Sequence, residues 1–187
     1  MDNILTSLKK SGRHAFSTKE YTALLGKKGY ARLVLHRQKG KGEIVLVRNG
    51  WWAFADSIPE GVACEISKPC YVSFHSALFL HKMTTQTPRN IQVAVTRKTK
   101  PYVIFGMKVK EFKITKKRFN GFYAKEGILL ASPEKAFADC LSFPRSCPEM
   151  VLFEAVGKID IELVKSLISS KAAGKRLKRV IRNAEQK

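Results

Sequence analysis

Gly29-Tyr30-Ala31-Arg32-Leu33-Val34-Leu35-His36-Arg37-Gln38 is a short basic segment with helical periodicity, and it is followed by Glu43-Ile44-Val45-Leu46-Val47 and Trp51-Trp52-Ala53-Phe54. These last two segments predict strands, which pair as Glu43 to Val47 with Trp51 to Ala55. Arg48-Asn49-Gly50 lies between them, and Asn-Gly is a strong signal for a tight hairpin turn. A basic helix followed by a hairpin is typical of a winged helix-turn-helix, so this stretch predicts a DNA-binding unit.

Two further helices are predicted before this stretch. The first runs from about Asp2 to Lys10, with Ile4, Leu5 and Leu8 facing inward, and ends at Ser11-Gly12. The second begins at Thr18 and ends near Gly26. Its start signals are Ser17 as N-cap, Glu20 as capping-box partner, and Phe16 with Tyr21 as a hydrophobic staple. Lys27, Lys28 and Gly29 then form a turn, so the pattern predicts a core of three helices.

The third helix of such a core enters the major groove, and its outward side chains contact base edges and phosphates. The predicted DNA-contacting residues are Lys27, Lys28, Tyr30, Arg32, Arg37, Lys39, Lys41, Arg48 and Asn49. Arg48, at the tip of the hairpin, is placed to reach a minor groove or a phosphate. Two alternatives remain for this unit. The charged face of the third helix is only solvated, or the unit is a protein-binding module, since winged-helix domains also bind proteins. Strand alternation predicts one of the two tryptophans inside and the other partly exposed, and His14 and His36 are interpreted as structural or solvated.

The charge balance also favours a polyanionic partner. Thirty-five Lys and Arg residues stand against fifteen Asp and Glu residues, giving a formal net charge of +20. Residues 1 to 63 contribute +6 and residues 64 to 187 contribute +14. Neutralising phosphates releases counterions whatever the base sequence, so the charge indicates a class of partner and does not indicate a fold.

An interruption near Ser57 to Pro69 predicts a boundary between two domains, residues 1–60 and residues 61–187. Beyond it the pattern alternates between helix and strand. Helices are predicted at Ser73 to His81 and from Ser132 onward, and strands at Asn90 to Arg97, Tyr102 to Phe105, Lys108 to Thr115 and Gly127 to Ala131. In the first of these strands Ile91, Val93 and Val95 share one face. The predicted fold class is α+β: an N-terminal winged helix-turn-helix, then a mixed α/β domain that ends in a helical segment.

Two helices are predicted near the end of the sequence. Asp160 caps the first, in which Ile161, Val164, Leu167 and Ile168 face inward, and the second has Leu177, Val180, Ile181 and Ala184 on its apolar face. A secondary basic surface is predicted opposite that apolar face, formed by Lys175, Arg176, Lys178, Arg179 and Arg182. Arg97 to Lys125 contains ten further basic residues against Glu111.

No signal peptide is expected, because Ile4, Leu5 and Leu8 give the N-terminus an amphipathic pattern in place of a continuous apolar core. No membrane-spanning segment is expected, because no apolar run approaches the roughly 20 residues needed to span a bilayer. A cytoplasmic location without membrane contact is therefore expected. The spacing of Cys64, Cys70, Cys140 and Cys147 does not match zinc-binding motifs, and it favours reduced or structural thiols over a disulfide. No cofactor, metal or catalytic residue is expected, since the nucleotide-binding and hydrolase motifs are missing.

Two segments of the second domain resemble a known family. Tyr71-Val72-Ser73-Phe74-His75-Ser76-Ala77-Leu78 precedes Gln86-Thr87-Pro88 and the strand Ile91 to Val95. Gly127-Ile128-Leu129-Leu130-Ala131 precedes Ser132-Pro133-Glu134-Lys135-Ala136-Phe137-Ala138-Asp139. Their order and spacing are similar to those of the AbiEi antitoxins of phage abortive-infection systems. Lys82, where glycine is expected, departs from the pattern.

The resemblance implies a transcriptional repressor that binds inverted repeats in its own promoter, and an antitoxin that counteracts a cognate nucleotidyltransferase toxin without a stable complex. Inverted repeats require two copies on the operator, supplied by a weak dimer or by two monomers. Two alternatives remain open. One is a general RNA-binding or ribosome-associated protein. The other is a metal-dependent nuclease using Glu134, Lys135 and Asp139, which the adjacent helical positions of Glu134 and Lys135 disfavour.

Overall fold

The computed structural model describes residues 3–185, and Asp2, the predicted first residue of the first helix, lies outside them. Within the described residues the chain is a mixed α+β fold with nine α-helices and two sheets, and it ends in a helix. This coarse architecture confirms the predicted α+β class. The side chain of Lys28 also lies outside the described part of the chain.

The N-terminal unit alternates short helices and strands. Its elements are α1 (Asn3–Lys10), β1 (Ala15–Ser17), α2 (Thr18–Leu25), α3 (Lys28–Gly40), β2 (Ile44–Arg48) and β3 (Trp51–Phe54). The three strands form an antiparallel sheet in the order β1-β3-β2. The sequence predicts the hairpin of β2 and β3 but does not predict β1, because three residues carry no periodicity of their own.

The predicted start signals of α2 are all present. Ser17 accepts a hydrogen bond from the Glu20 backbone, and the Glu20 carboxylate accepts one from the Ser17 backbone. The Phe16 and Tyr21 rings lie 6.0 Å apart, and both side chains are buried. Gly26 ends the helix with a left-handed φ of 72°, a conformation that glycine adopts without a steric penalty.

The core of this unit is small and built from one face of each helix. Leu5, Phe16, Tyr21, Leu35 and Phe54 are among its fully buried members. The prediction that one tryptophan is buried and the other partly exposed is wrong, because Trp51 and Trp52 are both half-buried. The Trp52 indole donates to the Thr18 hydroxyl at 2.8 Å, while Trp51 packs toward the second sheet.

The segment predicted as an interruption forms a buried helix, α4 (Pro59–Ile66). Its five buried residues are small or apolar, so it packs between the N-terminal unit and the rest of the chain. A methyl group on Gly61 would lie 2.2 Å from the His14 ring, which shows how closely α4 approaches the segment before β1. The Arg13 guanidinium pairs with Glu65 at 3.0 Å across the same junction.

The second sheet has six strands in the order β6-β7-β5-β4-β9-β8. The strands are β4 (Cys70–Val72), β5 (Ile91–Val95), β6 (Val103–Ile104), β7 (Met107–Lys113), β8 (Phe122–Lys125) and β9 (Ile128–Ala131). The β5–β7 and β4–β9 pairs are parallel and the others antiparallel. All five residues of β5 are buried, so the prediction of one apolar face was incomplete, since a central strand is covered on both sides.

Helices α5 (Phe74–Leu80), α6 (Pro133–Ser142), α7 (Glu149–Val156), α8 (Ile161–Leu167) and α9 (Lys171–Ala184) complete the fold. Ser132 caps α6 and Asp160 caps α8 through their side chains, and the sequence predicts both starts. A 3₁₀ turn at Lys116–Arg118 connects β7 to β8. The four cysteines are buried free thiols.

Candidate nucleic-acid interface

Helix α3 packs onto the N-terminal core through Ala31, Val34, Leu35 and Gln38, all of which are buried. These positions follow the i, i+3, i+4, i+7 spacing of one helical face. At about 100° per residue, the opposite face is centred on Gly29, Leu33 and His36. This outward face is flanked by Arg32 and Lys39 on one side and by Tyr30 and Arg37 on the other.

The predicted contact residues of α3 are therefore displayed around its solvent side. Arg32, Arg37 and Lys39 are exposed, and the Tyr30 ring is 51% exposed. Lys27 is the N-cap residue and Lys41 the C-cap residue, both exposed, and Lys28 is the first residue of the helix. No acidic residue occurs between Lys27 and Gly42, so the cations of this face have no carboxylate neighbours on their own helix.

The sequence interpretation missed the centre of this face. Leu33 is 46% exposed and His36 is exposed, yet neither is among the predicted contact residues. A helical projection centred on the buried residues would have found them. Gly29 lies on the same face, and a methyl group there would meet no heavy atom within 4 Å, so nothing in the protein requires glycine at this position.

The hairpin tip contacts the rest of the protein. The Gly50 carbonyl accepts a hydrogen bond from the Thr18 backbone at 2.8 Å, and Asn49 is exposed beside it. Arg48 points to the second sheet, because its guanidinium donates to Thr99 Oγ1 at 3.2 Å and lies 5.3 Å from the centroid of the Tyr102 ring. Arg48 therefore has a partner inside the protein, in contrast to the solvent-facing position expected from sequence.

Helix α9 carries most of the predicted secondary basic surface. Lys175, Lys178, Arg179 and Arg182 are exposed, whereas Leu177 and Val180 are buried beneath them. The prediction that Arg176 belongs to this surface is wrong, because Arg176 is half-buried and donates to the Cys140 and Leu141 carbonyls at the end of α6. Arg179 pairs with Glu149 of α7, so its charge is also partly compensated. The sequence pattern of α9 could not predict these contacts, because the carbonyls bound by Arg176 and the Glu149 carboxylate lie on other helices.

A second group of charged residues is buried around Asp139. This carboxylate is 0% exposed, and Oδ2 accepts hydrogen bonds from the Tyr71 and Ser73 hydroxyls, each at 2.9 Å. The other oxygen, Oδ1, accepts from Lys135 Nζ at 2.8 Å and from the Arg118 guanidinium at 3.2 Å. The network joins β4, α6 and the 3₁₀ turn.

This Asp139 network brings together the two segments that carry the family resemblance. Ser73 and Tyr71 come from the first, and Lys135 and Asp139 from the second. Burial and the nearby Asp139 charge raise the pKa of the Tyr71 hydroxyl far above its usual range, so it remains a donor to the carboxylate. Because Lys135 is 2% exposed and pairs with Asp139 inside the protein, removing either member of the pair would leave a buried charge unpaired.

The structure also bears on metal binding and on membrane contact. Among residues 3–185, no group of three or more His, Cys, Asp or Glu residues is placed to hold a metal ion. None of the helices in that range is both long enough and apolar enough to span a bilayer.

Comparison with known proteins identifies a similar fold. No protein-family model matches the sequence, and no curated protein matches it significantly. A solved structure, described as the crystal structure of the Rv2827c protein from Mycobacterium tuberculosis, matches with a TM-score of 0.62 and 12% sequence identity. The match covers 97% of this chain and 75% of that one. At this identity the similarity concerns the fold alone.

Proposed function

We propose that this protein is a DNA-binding transcriptional repressor whose N-terminal unit is a winged helix-turn-helix. The observation that carries the proposal is the outward face of α3, where Arg32, Arg37 and Lys39 are exposed on a helix without acidic residues. The order α1-β1-α2-α3-β2-β3 and the antiparallel β1-β3-β2 sheet support it, because they give a three-helix core followed by a hairpin.

In this proposal α3 enters the major groove, and the side chains differ in role. Arg32 pairs with a guanine edge, Leu33 contacts a thymine methyl group, and Lys39 and Lys41 contact phosphates. The hairpin contributes through Asn49, whereas Arg48 fixes the hairpin against Thr99 and Tyr102. The exposed cations of α9 provide an additional phosphate-binding surface at Lys175, Lys178 and Arg182.

A mobility-shift titration tests DNA binding. The labelled duplexes are the protein's own promoter and a scrambled duplex of equal length and composition, each measured at several salt concentrations. We expect tighter binding to the promoter, with log K falling linearly with log salt by about 0.9 per phosphate neutralised. Equal affinity for the two duplexes at every salt concentration would overturn the repressor proposal.

The resemblance to AbiEi antitoxins leads to the second part of the proposal. The protein represses its own operon through inverted repeats, with two copies on the operator, and it counteracts a cognate nucleotidyltransferase toxin without forming a stable complex. Growth assays test this part by co-expressing the neighbouring nucleotidyltransferase with the full chain. Rescue by the full chain supports it, and unrelieved toxicity at equal expression contradicts it.

A general RNA-binding protein is the second candidate function. It is favoured by the exposed cations on and around β7 and the 3₁₀ turn, where basic residues have few acidic neighbours. These cations are Arg97, Lys98, Lys100, Lys108, Lys113, Lys116, Lys117 and Lys125. The candidate predicts that structured RNA competes with promoter DNA at equal nucleotide concentration, and failure of that competition would reject it. The nuclease alternative has less support, because Asp139 and Lys135 are buried and pair with each other, and Asp139 also accepts from Tyr71, Ser73 and Arg118.

A further inference from the structure

A polar groove crosses one face of the second sheet, on elements that the proposed DNA interface does not use. It has a volume of about 650 Å³, and its lining includes three cations, Arg89, Lys110 and Arg145. Among the described residues that line it, none is Asp or Glu. Cavities of roughly 300–1,000 Å³ suit small organic ligands, so the groove is large enough for one.

The floor of the groove is held in place by hydrogen bonds. Gln92 and Lys110 are paired neighbours on β5 and β7. The Gln92 amide accepts from the His75 backbone at 2.9 Å and donates to the Ser146 carbonyl at 2.7 Å, while Lys110 Nζ donates to the Arg145 carbonyl at 3.0 Å. These bonds fix the segment from Pro144 to Pro148 over the sheet, so the polar groups are positioned before a ligand arrives.

His75 forms part of the same floor. Phe74, directly before it, has a left-handed φ of 58°, an unfavourable conformation for a bulky residue, at the turn from β4 into α5. Burial lowers the pKa of the His75 ring, so the ring is neutral at pH 7. Its Nε2 atom lies 2.8 Å from the Gln86 carbonyl, which only accepts, so Nε2 carries the proton and Nδ1 is left as an acceptor.

The charges at the rim are not compensated by the protein. Within residues 3–185 neither Arg89 nor Arg145 has a carboxylate partner, and both are exposed. Two nearby carboxylates are engaged elsewhere. Glu154 accepts hydrogen bonds from Thr84, Thr85 and Gln86, and Glu149 pairs with Arg179. Two free guanidinium groups near a third cation favour a ligand that carries a phosphate, which arginine binds through two parallel hydrogen bonds.

We infer that this groove is a binding site for a nucleoside monophosphate, with Arg89, Arg145 and Lys110 around the phosphate and the side-chain amide of Asn90 near the base. The free mononucleotide and the phosphorylated end of a nucleic-acid strand present the same chemistry. The inference is independent of DNA reading by α3, because the two surfaces share no residue.

Calorimetric titration of the full chain tests the site with three sets of probes: the four ribonucleoside 5′-monophosphates, the matching nucleosides, and inorganic phosphate. We expect at least one monophosphate to bind, and the matching nucleoside and phosphate to bind about tenfold more weakly or worse, since each lacks part of the contacts. Phosphate binding as tightly as the monophosphate, or no binding of any monophosphate, would overturn the inference.

A pair of double variants locates the site. Arg89→Ala with Arg145→Ala removes both rim cations, and Lys10→Ala with Lys19→Ala removes two exposed cations that lie outside the groove and outside the proposed nucleic-acid surfaces. We expect the first pair to weaken monophosphate binding about tenfold or more and the control pair to leave it unchanged. Equal weakening by both pairs would show a nonspecific charge effect and contradict the site.

Two oligonucleotides separate the sources of the ligand. A short single strand is prepared with and without a 5′-phosphate, and each competes with the bound monophosphate. Displacement by the phosphorylated strand alone identifies strand ends as the ligand, and displacement by neither strand identifies the free nucleotide. Equal displacement by both strands would mean that internal phosphates suffice, which would overturn the monophosphate assignment.

Discussion

The outward face of α3 and the Asp139 network contain the same kinds of residue in opposite surroundings. On α3 the cations are exposed and have no acidic neighbour on their helix, so their charge is directed at solvent. Around Asp139, Lys135 is 2% exposed, and its amine lies 2.8 Å from a carboxylate that is fully buried. The difference shows that burial and partners decide whether the charge of a basic residue is neutralised inside the protein or remains available to a ligand, since a buried ion must be paired whereas an exposed one need not be.

The largest expected effect comes from Asp139→Asn. The substitution keeps the volume of the side chain but leaves Lys135 as an unpaired buried cation, so we expect the free energy of unfolding to fall by about 3–5 kcal/mol. Urea denaturation followed by circular dichroism measures it.

The matched control for Asp139→Asn replaces both members of the pair, as Lys135→Met with Asp139→Leu. The double variant removes the buried Lys135–Asp139 pair but leaves the Tyr71 and Ser73 hydroxyls and the Arg118 guanidinium without their acceptor, so it should recover part of the lost stability. Equal destabilisation by the single and the double variant would show that the unpaired Lys135 charge is not the main cost of Asp139→Asn.

Arg32→Ala should act on recognition without affecting stability. We expect discrimination between promoter and scrambled duplex to fall by about 1–3 kcal/mol if Arg32 pairs with a guanine. The free energy of unfolding should change by less than about 0.5 kcal/mol, because the side chain is exposed. Mobility shifts and urea denaturation measure the two quantities.

Lys39→Ala is the control for Arg32→Ala, since Lys39 lies on the same flank of α3. We expect it to weaken binding to both duplexes alike and to reduce the salt slope by about 1, as for a phosphate contact. A loss of discrimination as large as that of Arg32→Ala would mean that the two residues do not divide base and phosphate contacts as proposed.

A pair of glycine substitutions compares open and crowded surroundings. Gly61→Ala should destabilise the fold by about 1–3 kcal/mol, because the new methyl group meets the His14 ring. Gly29→Ala should raise stability by up to about 1 kcal/mol, since alanine is the better helix former and the space there is open. Urea denaturation of the two variants measures both changes.

DNA binding gives the second readout of Gly29→Ala. If the backbone at Gly29 lies against DNA, promoter affinity should fall in mobility shifts although the fold is more stable. Unchanged affinity would place this end of α3 away from DNA.

The smallest expected effect concerns Glu154, a half-buried carboxylate that accepts several hydrogen bonds. Hydrogen bonds from the Thr84 hydroxyl, the Gln86 amide and the Thr85 backbone lower the pKa of Glu154 from 4.5 to about 2. A carboxylate with a lowered folded pKa stabilises the protein above its unfolded pKa, and this contribution is lost as the pH falls from 4.5 toward 2. Glu154→Gln should therefore show a flatter dependence of Tm on pH in that window. If the Tm of the unaltered protein and that of the Glu154→Gln variant change in parallel between pH 4.5 and 2, the lowered pKa of Glu154 does not contribute to stability.

The sequence predicted the elements whose signals are local. The capping box of Ser17 and Glu20, the Asn49-Gly50 turn and the caps of α6 and α8 all lie where expected, because each depends on residues within a few positions of one another. The prediction missed β1 and β4, which are short and pair with strands distant in sequence, and it missed β8, which pairs with the adjacent β9 across Glu126-Gly127. Helix α4 was missed as well, since Pro59 and the small residues after it resemble a linker.

The candidate site also combines features that the sequence predicts with features that depend on the tertiary structure. The sequence by itself determined that α3 is a basic helix followed by a hairpin, since helical periodicity and turn chemistry are properties of consecutive residues. Only the tertiary structure decided that Arg48 and Arg176 turn inward, that Tyr71 and Asp139 meet across 68 positions, and that Arg89 and Arg145 border one groove. The physical reason is that burial and charge pairing depend on strand order and helix packing, which bring together side chains that no local pattern relates.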